Sequence, residues 1–238
     1  MRRFVSSAAV LISALLPSAA LAQVGHPPGS SPYHDIPPGH TVYFTYGHLG
    51  GSGGKFGIGP HDGTLYGGRY DIRVSSLFGL GFAGAHGTME RQIVNPFIRV
   101  DDRVSGPVDQ SLTLAEADLL FNLGGRKSWH RLAPLFSVGF GLAHASETPA
   151  DTSGYNFGNK LYITPQLGLR AFVTNHLQLR GELRGAWWKL KYPVSFQQEP
   201  PLDPGTVDNP HAVIPNGKDT EWTGSLWLQV GIGYTFHW

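Results

Sequence analysis

The sequence predicts an all-β chain folded as an eight-stranded antiparallel up-and-down transmembrane β-barrel. Three observations carry this: the chain divides into eight segments whose apolar side chains recur with period two, the connections between them alternate long and short, and no helix-period segment interrupts the series. The clearest segment is the last, Trp222 to Trp238. Its even positions, Trp222, Gly224, Leu226, Leu228, Val230, Ile232, Tyr234, Phe236 and Trp238, are apolar, and its odd positions are mostly small or polar. Period two puts the two sets on opposite faces of a strand of about 17 residues, roughly 55 Å of contour at ~3.3 Å per residue. Strands of soluble domains are usually far shorter. Aromatic residues at both ends of the apolar row, with aliphatic ones between, suit a surface crossing hydrocarbon between two interfaces.

A long alternating strand that ends in a carboxyl-terminal aromatic resembles the closing strand of bacterial outer-membrane β-barrels. The resemblance implies that Tyr234, Phe236 and Trp238 form the signal read by the barrel-assembly machinery, with Trp in place of the commoner terminal Phe. It covers about residues 41–238 and is closest to small barrels of the OmpA and OmpX type.

Taken in order, the chain opens with Arg2 and Arg3, an apolar run from Phe4 to Leu16 and the small-x-small triplet Ala20-Leu21-Ala22, so residues 1–22 read as a secretory signal peptide. Residues 23–40 follow as a flexible, disordered or extended periplasmic lead-in, rich in proline and without periodic apolar positions. The barrel segments then begin at Thr41.

The first segment, Thr41–Leu49, sets Val42, Phe44 and Tyr46 against Tyr43, Thr45 and Gly47. The second, Thr64–Ser75, alternates Tyr66, Gly68, Tyr70, Ile72 and Val74 with Leu65, Gly67, Arg69, Asp71 and Arg73. The third puts Phe78, Leu80 and Phe82 outward over small inward residues. The fourth faces Ala115, Ala117, Leu119, Phe121 and Leu123 out and Glu116, Asp118 and Asn122 in, and the fifth places Phe136, Val138, Phe140 and Leu142 over Ser137, Gly139 and Gly141. The sixth runs from Leu161 to Val173 with Arg170 inward, and Pro165 weakens it because a mid-strand proline removes a ladder donor. The seventh sets Leu177, Leu179, Leu183 and Trp187 opposite Gln178, Arg180, Glu182 and Arg184. Long connections are expected at 50–63, 91–110, 146–159 and 193–219, and short ones at 75–76, 124–131 and 174–175. An even-numbered meander gives this alternation, with both termini on the short-turn side, which the resemblance puts in the periplasm, and the long loops outside.

Composition excludes several functions. The absence of cysteine excludes a disulfide framework, a thiol nucleophile, a thiolate zinc site and an acylated lipoprotein terminus. Loss of residues 1–22 removes two arginines and no acid, leaving 16 basic against 17 acidic side chains, so no basic surface for nucleic acid is implied. No cofactor is expected.

The inward charges Arg69, Asp71, Arg73, Glu116, Asp118, Arg170, Arg180, Glu182 and Arg184 are the main candidate site. Buried charges must find partners, so these are expected to form a lumenal salt-bridge network that fills a barrel too narrow for a water channel. The same residues could instead line a gated pathway. His144-Ala145-Ser146 is similar to the His-x-Ser of outer-membrane lipid A deacylases, which implies ester hydrolysis at the membrane face. The acids just downstream, Glu147 and Asp151, lie in a loop, and a nucleophilic serine needs a base and a group orienting that base. His26, His34 and His40 in the lead-in and His48, His61, His86, His144 and His211 near the loops have no spacing that fixes a metal site. The glycine runs GGSGG and FGIGPHDG lack the following helix that a phosphate loop needs.

The expected role is therefore that of a non-enzymatic structural or surface protein of the outer membrane, serving adhesion or envelope integrity. It would be a monomer in contact with outer-membrane lipid and lipopolysaccharide. A narrow porin or transporter for small or apolar solutes and a lipid A-modifying enzyme are the alternatives.

Overall fold

All eight predicted segments form strands in the computed structural model, which describes residues 31–36, 38–215 and 217–236. Two three-residue strands, β1 (Tyr33–Asp35) and β6 (Lys127–Trp129), accompany eight long ones. These are β2 (His40–Gly51), β3 (His61–Arg73), β4 (Phe78–Val94), β5 (Val104–Asn122), β7 (Leu132–Ala145), β8 (Gly158–Phe172), β9 (Leu177–Lys191) and β10 (Thr220–Phe236). The long strands pair in the order β7-β5-β4-β3-β2-β10-β9-β8, and β8 returns to β7 to close the sheet. Closure satisfies both edges of every long strand, as a sheet in hydrocarbon requires. The signal peptide, residues 23–30 of the lead-in and Trp238 of the assembly signal lie outside the described residues.

Side-chain parity fixes which face is which. Along β10, burial alternates from Thr223 to Thr235, with Leu226, Leu228, Val230, Ile232, Tyr234 and Phe236 exposed on the outer wall. Register carries this outer face around the barrel: Phe44 pairs with Ile232, Phe82 with Ala117, and Leu142 with Leu161. Leu142, Leu161, Leu228 and Val230 are each more than half exposed. So large an exposed apolar band is a liability in water and a requirement in a bilayer. Aromatic rings collect at its edges. At the short-turn end Phe78 meets Phe121 at 5.2 Å, Phe121 meets Phe136 at 5.8 Å, and Tyr234 meets Phe236 at 5.0 Å. At the loop end Trp187 and Trp222 stand exposed.

Three expectations need correction. Residues 91–110 are not one long loop, because β4 continues to Val94 and β5 begins at Val104, with a register shift between Arg91 and Ile93. Several residues at the start of β5, including Val104, Ser105 and Asp109, are exposed, so this ribbon projects past the apolar band, where neither face need be apolar, and the alternation that marks the other strands is missing. Part of the lead-in is extended and ordered. Tyr33, His34 and Asp35 pair with Trp129, Ser128 and Lys127, so β6 also structures the expected short turn 124–131. Lys127 bonds Asp35 at 2.8 Å and holds its carboxyl below the usual range. The second segment ends at Arg73, and Ser75 Oγ in the following turn accepts the N–H groups of Leu77 and Phe78.

Pro165 weakens the wall on one side only. β8 pairs continuously with β7 through Val138↔Pro165, whereas its ladder to β9 jumps from Ile163↔Trp187 to Gln166↔Arg184. The missing N–H accounts for the interruption, since proline has no donor for that neighbour.

Candidate functional site

The inward faces of β3, β5 and β9 converge at mid-lumen because their charged residues share the phase opposite the apolar row. Arg69 is the hub. Its Nε lies 2.7 Å from Asp71 Oδ1, and its Nη1 lies 2.6 Å from Asp118 Oδ2 and 3.9 Å from Glu116 Oε1. Arg180 contacts the other Asp71 oxygen and reaches Glu182 Oε1 at 2.6 Å. Arg184 contacts Glu116 and donates from Nη1 to Gln229 Oε1 at 2.7 Å. The result is one continuous chain, Glu182–Arg180–Asp71–Arg69–Asp118/Glu116–Arg184. Every member is at least nine-tenths buried.

Neutral donors complete the carboxylates' coordination. Tyr162 and Thr164 donate to Glu116 Oε2 at 3.0 and 3.2 Å, and Gln166 Nε2 donates to Asp118 Oδ1 at 2.8 Å. Charge-assisted bonds of this kind are the strong ones, and in a region of low dielectric they fix one arrangement of side chains. Gly139 makes the space, since a side-chain carbon there would lie 2.1 Å from Asp118 Oδ1.

Two predicted members sit apart from this chain. Arg170 donates to Asn122 Oδ1, and Arg73 donates from Nη1 to the Ile36 carbonyl at 3.0 Å. Among the described residues neither makes an ion pair. Both lie toward the short-turn end of the barrel.

Toward the loop end the lumen turns apolar, which the sequence reading did not register. Leu49, Leu65, Met89, Leu112, Leu114, Trp188 and Trp227 are buried there in one cluster, and Ile58, Tyr155, Phe157, Phe196, Val213 and Ile214 from the loops pack onto it. Trp227 joins the two layers, with its ring 3.9 Å from the Arg184 guanidinium carbon. Phe157 packs edge-on against Trp188 at 5.6 Å. Arg91, in phase with the inward row of β4, pins a loop to this cap through Asp151 at 2.6 Å. Parity alone could have found Trp188 and Arg91, which continue the inward phases of Arg184 and Met89.

The remaining candidates are not brought into a reactive arrangement. His144 Nδ1 lies 2.7 Å from Asn159 Oδ1, and Ser146 Oγ accepts the Ser111 N–H at 3.2 Å. Glu147 accepts from Asn156 and Asp151 pairs with Arg91, so neither carboxylate orients His144. His61 Nδ1 lies 2.9 Å from the Gly59 carbonyl, His86 bonds Thr113 at 2.9 Å, His40 bonds Tyr70, and His211 approaches Asp203. Among the described residues no group of three or more His, Asp or Glu could hold a metal ion, and His26 lies outside them.

Neither a protein-family model nor a curated protein sequence matches the chain. Solved structures do. The outer membrane protein OprG from Pseudomonas aeruginosa aligns over 86% of this chain and 99% of its own, with 10% identity and a TM-score of 0.52. Neisserial surface protein A aligns over 83% of this chain and 97% of its own, with 14% identity and a TM-score of 0.51. At such identities the likeness is one of fold: this chain has the closed, all-antiparallel architecture of small eight-stranded outer-membrane barrels.

Proposed function

We propose that the protein is an integral outer-membrane barrel with a non-enzymatic structural or surface role, its short turns in the periplasm and its long loops outside. The observation that supports this best is the filled lumen: a continuous ion-pair chain lies beneath an apolar plug closed by the loops. A barrel of this size has interior space only for its own side chains. The surface the protein offers to the outside is then its loops, where Val194, Leu202 and Val207 are exposed apolar residues on the longest connection. Exposed apolar side chains on a polar loop suit adhesive contact. The outer band suits contact with lipid, and Lys189 and Lys191, exposed just beyond Trp187, suit contact with lipopolysaccharide phosphates.

The test combines location and conductance. The protein is expected to fractionate with outer membranes, to run faster on SDS gels unheated than boiled, and to show no large steady conductance in planar bilayers. Recovery in the soluble periplasmic fraction would sink the membrane assignment. Sustained ion-selective channels would replace the structural role with a transporter.

A further inference from the structure

The unpaired arginines at the short-turn end share a cavity. A space of about 30 Å³ opens there beneath Ile36, lined by Thr41, Asp71, Arg73, Asn122, Arg170 and Gln178. Arg170 is 9% exposed, and after its bond to Asn122 its Nε–H is buried without an acceptor. Arg73 spends Nη1 on the Ile36 carbonyl, and its Nη2 is likewise buried without an acceptor. The cavity's carboxylate, Asp71, is already taken by Arg69 and Arg180. Gln178 cannot serve either, since its amide is engaged by Tyr43, Thr41 and Thr235.

Two guanidiniums beside one cavity repel each other, and every buried N–H left without an acceptor carries the full cost of its lost hydration. A single anion relieves both at once, because it accepts from the two forks and offsets their charge. A cavity of about 30 Å³ exceeds the ~10–15 Å³ that one water needs, so a halide fits beneath Ile36. Ile36 is itself tied down: its N–H donates to the Arg126 carbonyl at 2.8 Å, and the adjoining β1 pairs with β6.

We infer that this cavity is a binding site for a small monovalent inorganic anion, of halide size, held between Arg73 and Arg170 and covered by the amino-terminal strap. Occupancy links strap to barrel, since Arg73 holds both the anion and the Ile36 carbonyl. The site lies below the ion-pair chain and is independent of whether the lumen conducts.

The experiment uses the full exported chain purified from membranes in detergent. Unfolding midpoints are measured in sodium bromide and in sodium gluconate at matched ionic strength, and bromide is located in crystals by its anomalous scattering. A saturable rise in midpoint with bromide over gluconate is expected, with an anomalous peak beside Arg170 Nε and Arg73 Nη2. Arg73→Gln is expected to weaken bromide binding at least tenfold, and Arg170→Gln to abolish it. Equal responses to bromide and gluconate would reduce the effect to screening and overturn the site. So would a bromide response unchanged in Arg73→Gln, or one that phosphate reproduces.

Discussion

Removing Arg180 tests the ion-pair chain most sharply, because it strands one carboxylate. Arg180 is the ion-pair partner of Glu182, and it shares Asp71 with Arg69. In Arg180→Met the Asp71 carboxylate keeps Arg69, whereas Glu182, whose side chain is 1% exposed, keeps nothing within ion-pair distance among the described residues. An uncompensated buried charge costs about 3–5 kcal/mol. Glu182→Gln alone should cost less, since Arg180 retains Asp71. The double variant Arg180→Met/Glu182→Gln removes the stranded charge and should be more stable than Arg180→Met by about 2 kcal/mol or more, a coupling well above the ~0.5 kcal/mol within which independent sites add. The assay is equilibrium unfolding in denaturant after refolding into detergent or lipid, read by the gel shift between folded and unfolded forms. Leu228→Ala is the control: it lies on the outer wall, loses about 2 kcal/mol of apolar transfer energy at ~0.8 kcal/mol per carbon, and should show no coupling to position 180. Additive Arg180→Met and Glu182→Gln effects would refute the buried pair, and would mean that water screens both groups.

The other expectations are briefer. Gly139→Ala, which sets a carbon against Asp118, should cost about 1–3 kcal/mol by overpacking, whereas Gly181→Ala, with nothing within 4 Å, should be neutral in the same unfolding assay; a neutral Gly139→Ala would show that the lumen is loosely packed. Deleting Trp238 should lower the yield of folded barrel in cells more than it lowers detergent refolding in vitro, and matching losses would reduce Trp238 to an interfacial anchor. The Glu199 carboxylate accepts the N–H groups of Gly205, His211 and Ala212, and these bonds, the one from Gly205 foremost, hold its pKa below the ordinary glutamate value. A depressed folded pKa means that the loop is held above the unfolded value of about 4.3 and released as pH falls through the lower folded one, so the His211 and Ala212 amide resonances should shift only below the ordinary glutamate range. Amide shifts centred near neutrality would assign the loop's order to another group.

Legibility in the sequence followed the hydrocarbon. Where one face must be apolar, the period of two located every barrel strand and assigned Arg69, Asp71, Glu116, Asp118, Arg180, Glu182 and Arg184 to the interior, where the structure has them. It could not locate the ribbon at 91–94 and 104–110, because both of its faces meet water or loops and no alternation is imposed. Nor could it choose partners. Arg69 and Arg184 both approach Glu116 across the lumen, a proximity set by closure and register rather than by any local pattern. The two-layered lumen carries a different kind of signal: Trp188 and Leu190 are uncharged but share the inward phase of Glu182 and Arg184. The Glu147 and Asp151 contacts depended on loop conformation, which parity does not address.

The order of the two layers bears on what the lumen can do. A solute entering from the loops must first part an apolar plug in which Trp188, Trp227 and Phe157 are almost wholly buried, a layer that offers a hydrated ion no partner. It then meets the chain of ion pairs, where separating Arg180 from Glu182 and Arg184 from Glu116 leaves Glu182 and Arg184 each without an ion-pair partner among the described residues. At about 3–5 kcal/mol for each stranded buried charge, opening two costs roughly 6–10 kcal/mol. With 1.4 kcal/mol for each factor of ten, the open form would be populated at about one part in 10⁴ to 10⁷. Water entering the gap lowers that cost, but only after the plug above it has opened, so the layers reinforce each other. A conducting role would need a ligand or partner that binds the open form about 10⁴-fold or more tightly than the closed one. The loops, by contrast, present Leu202 and Val207 to solvent without any such rearrangement.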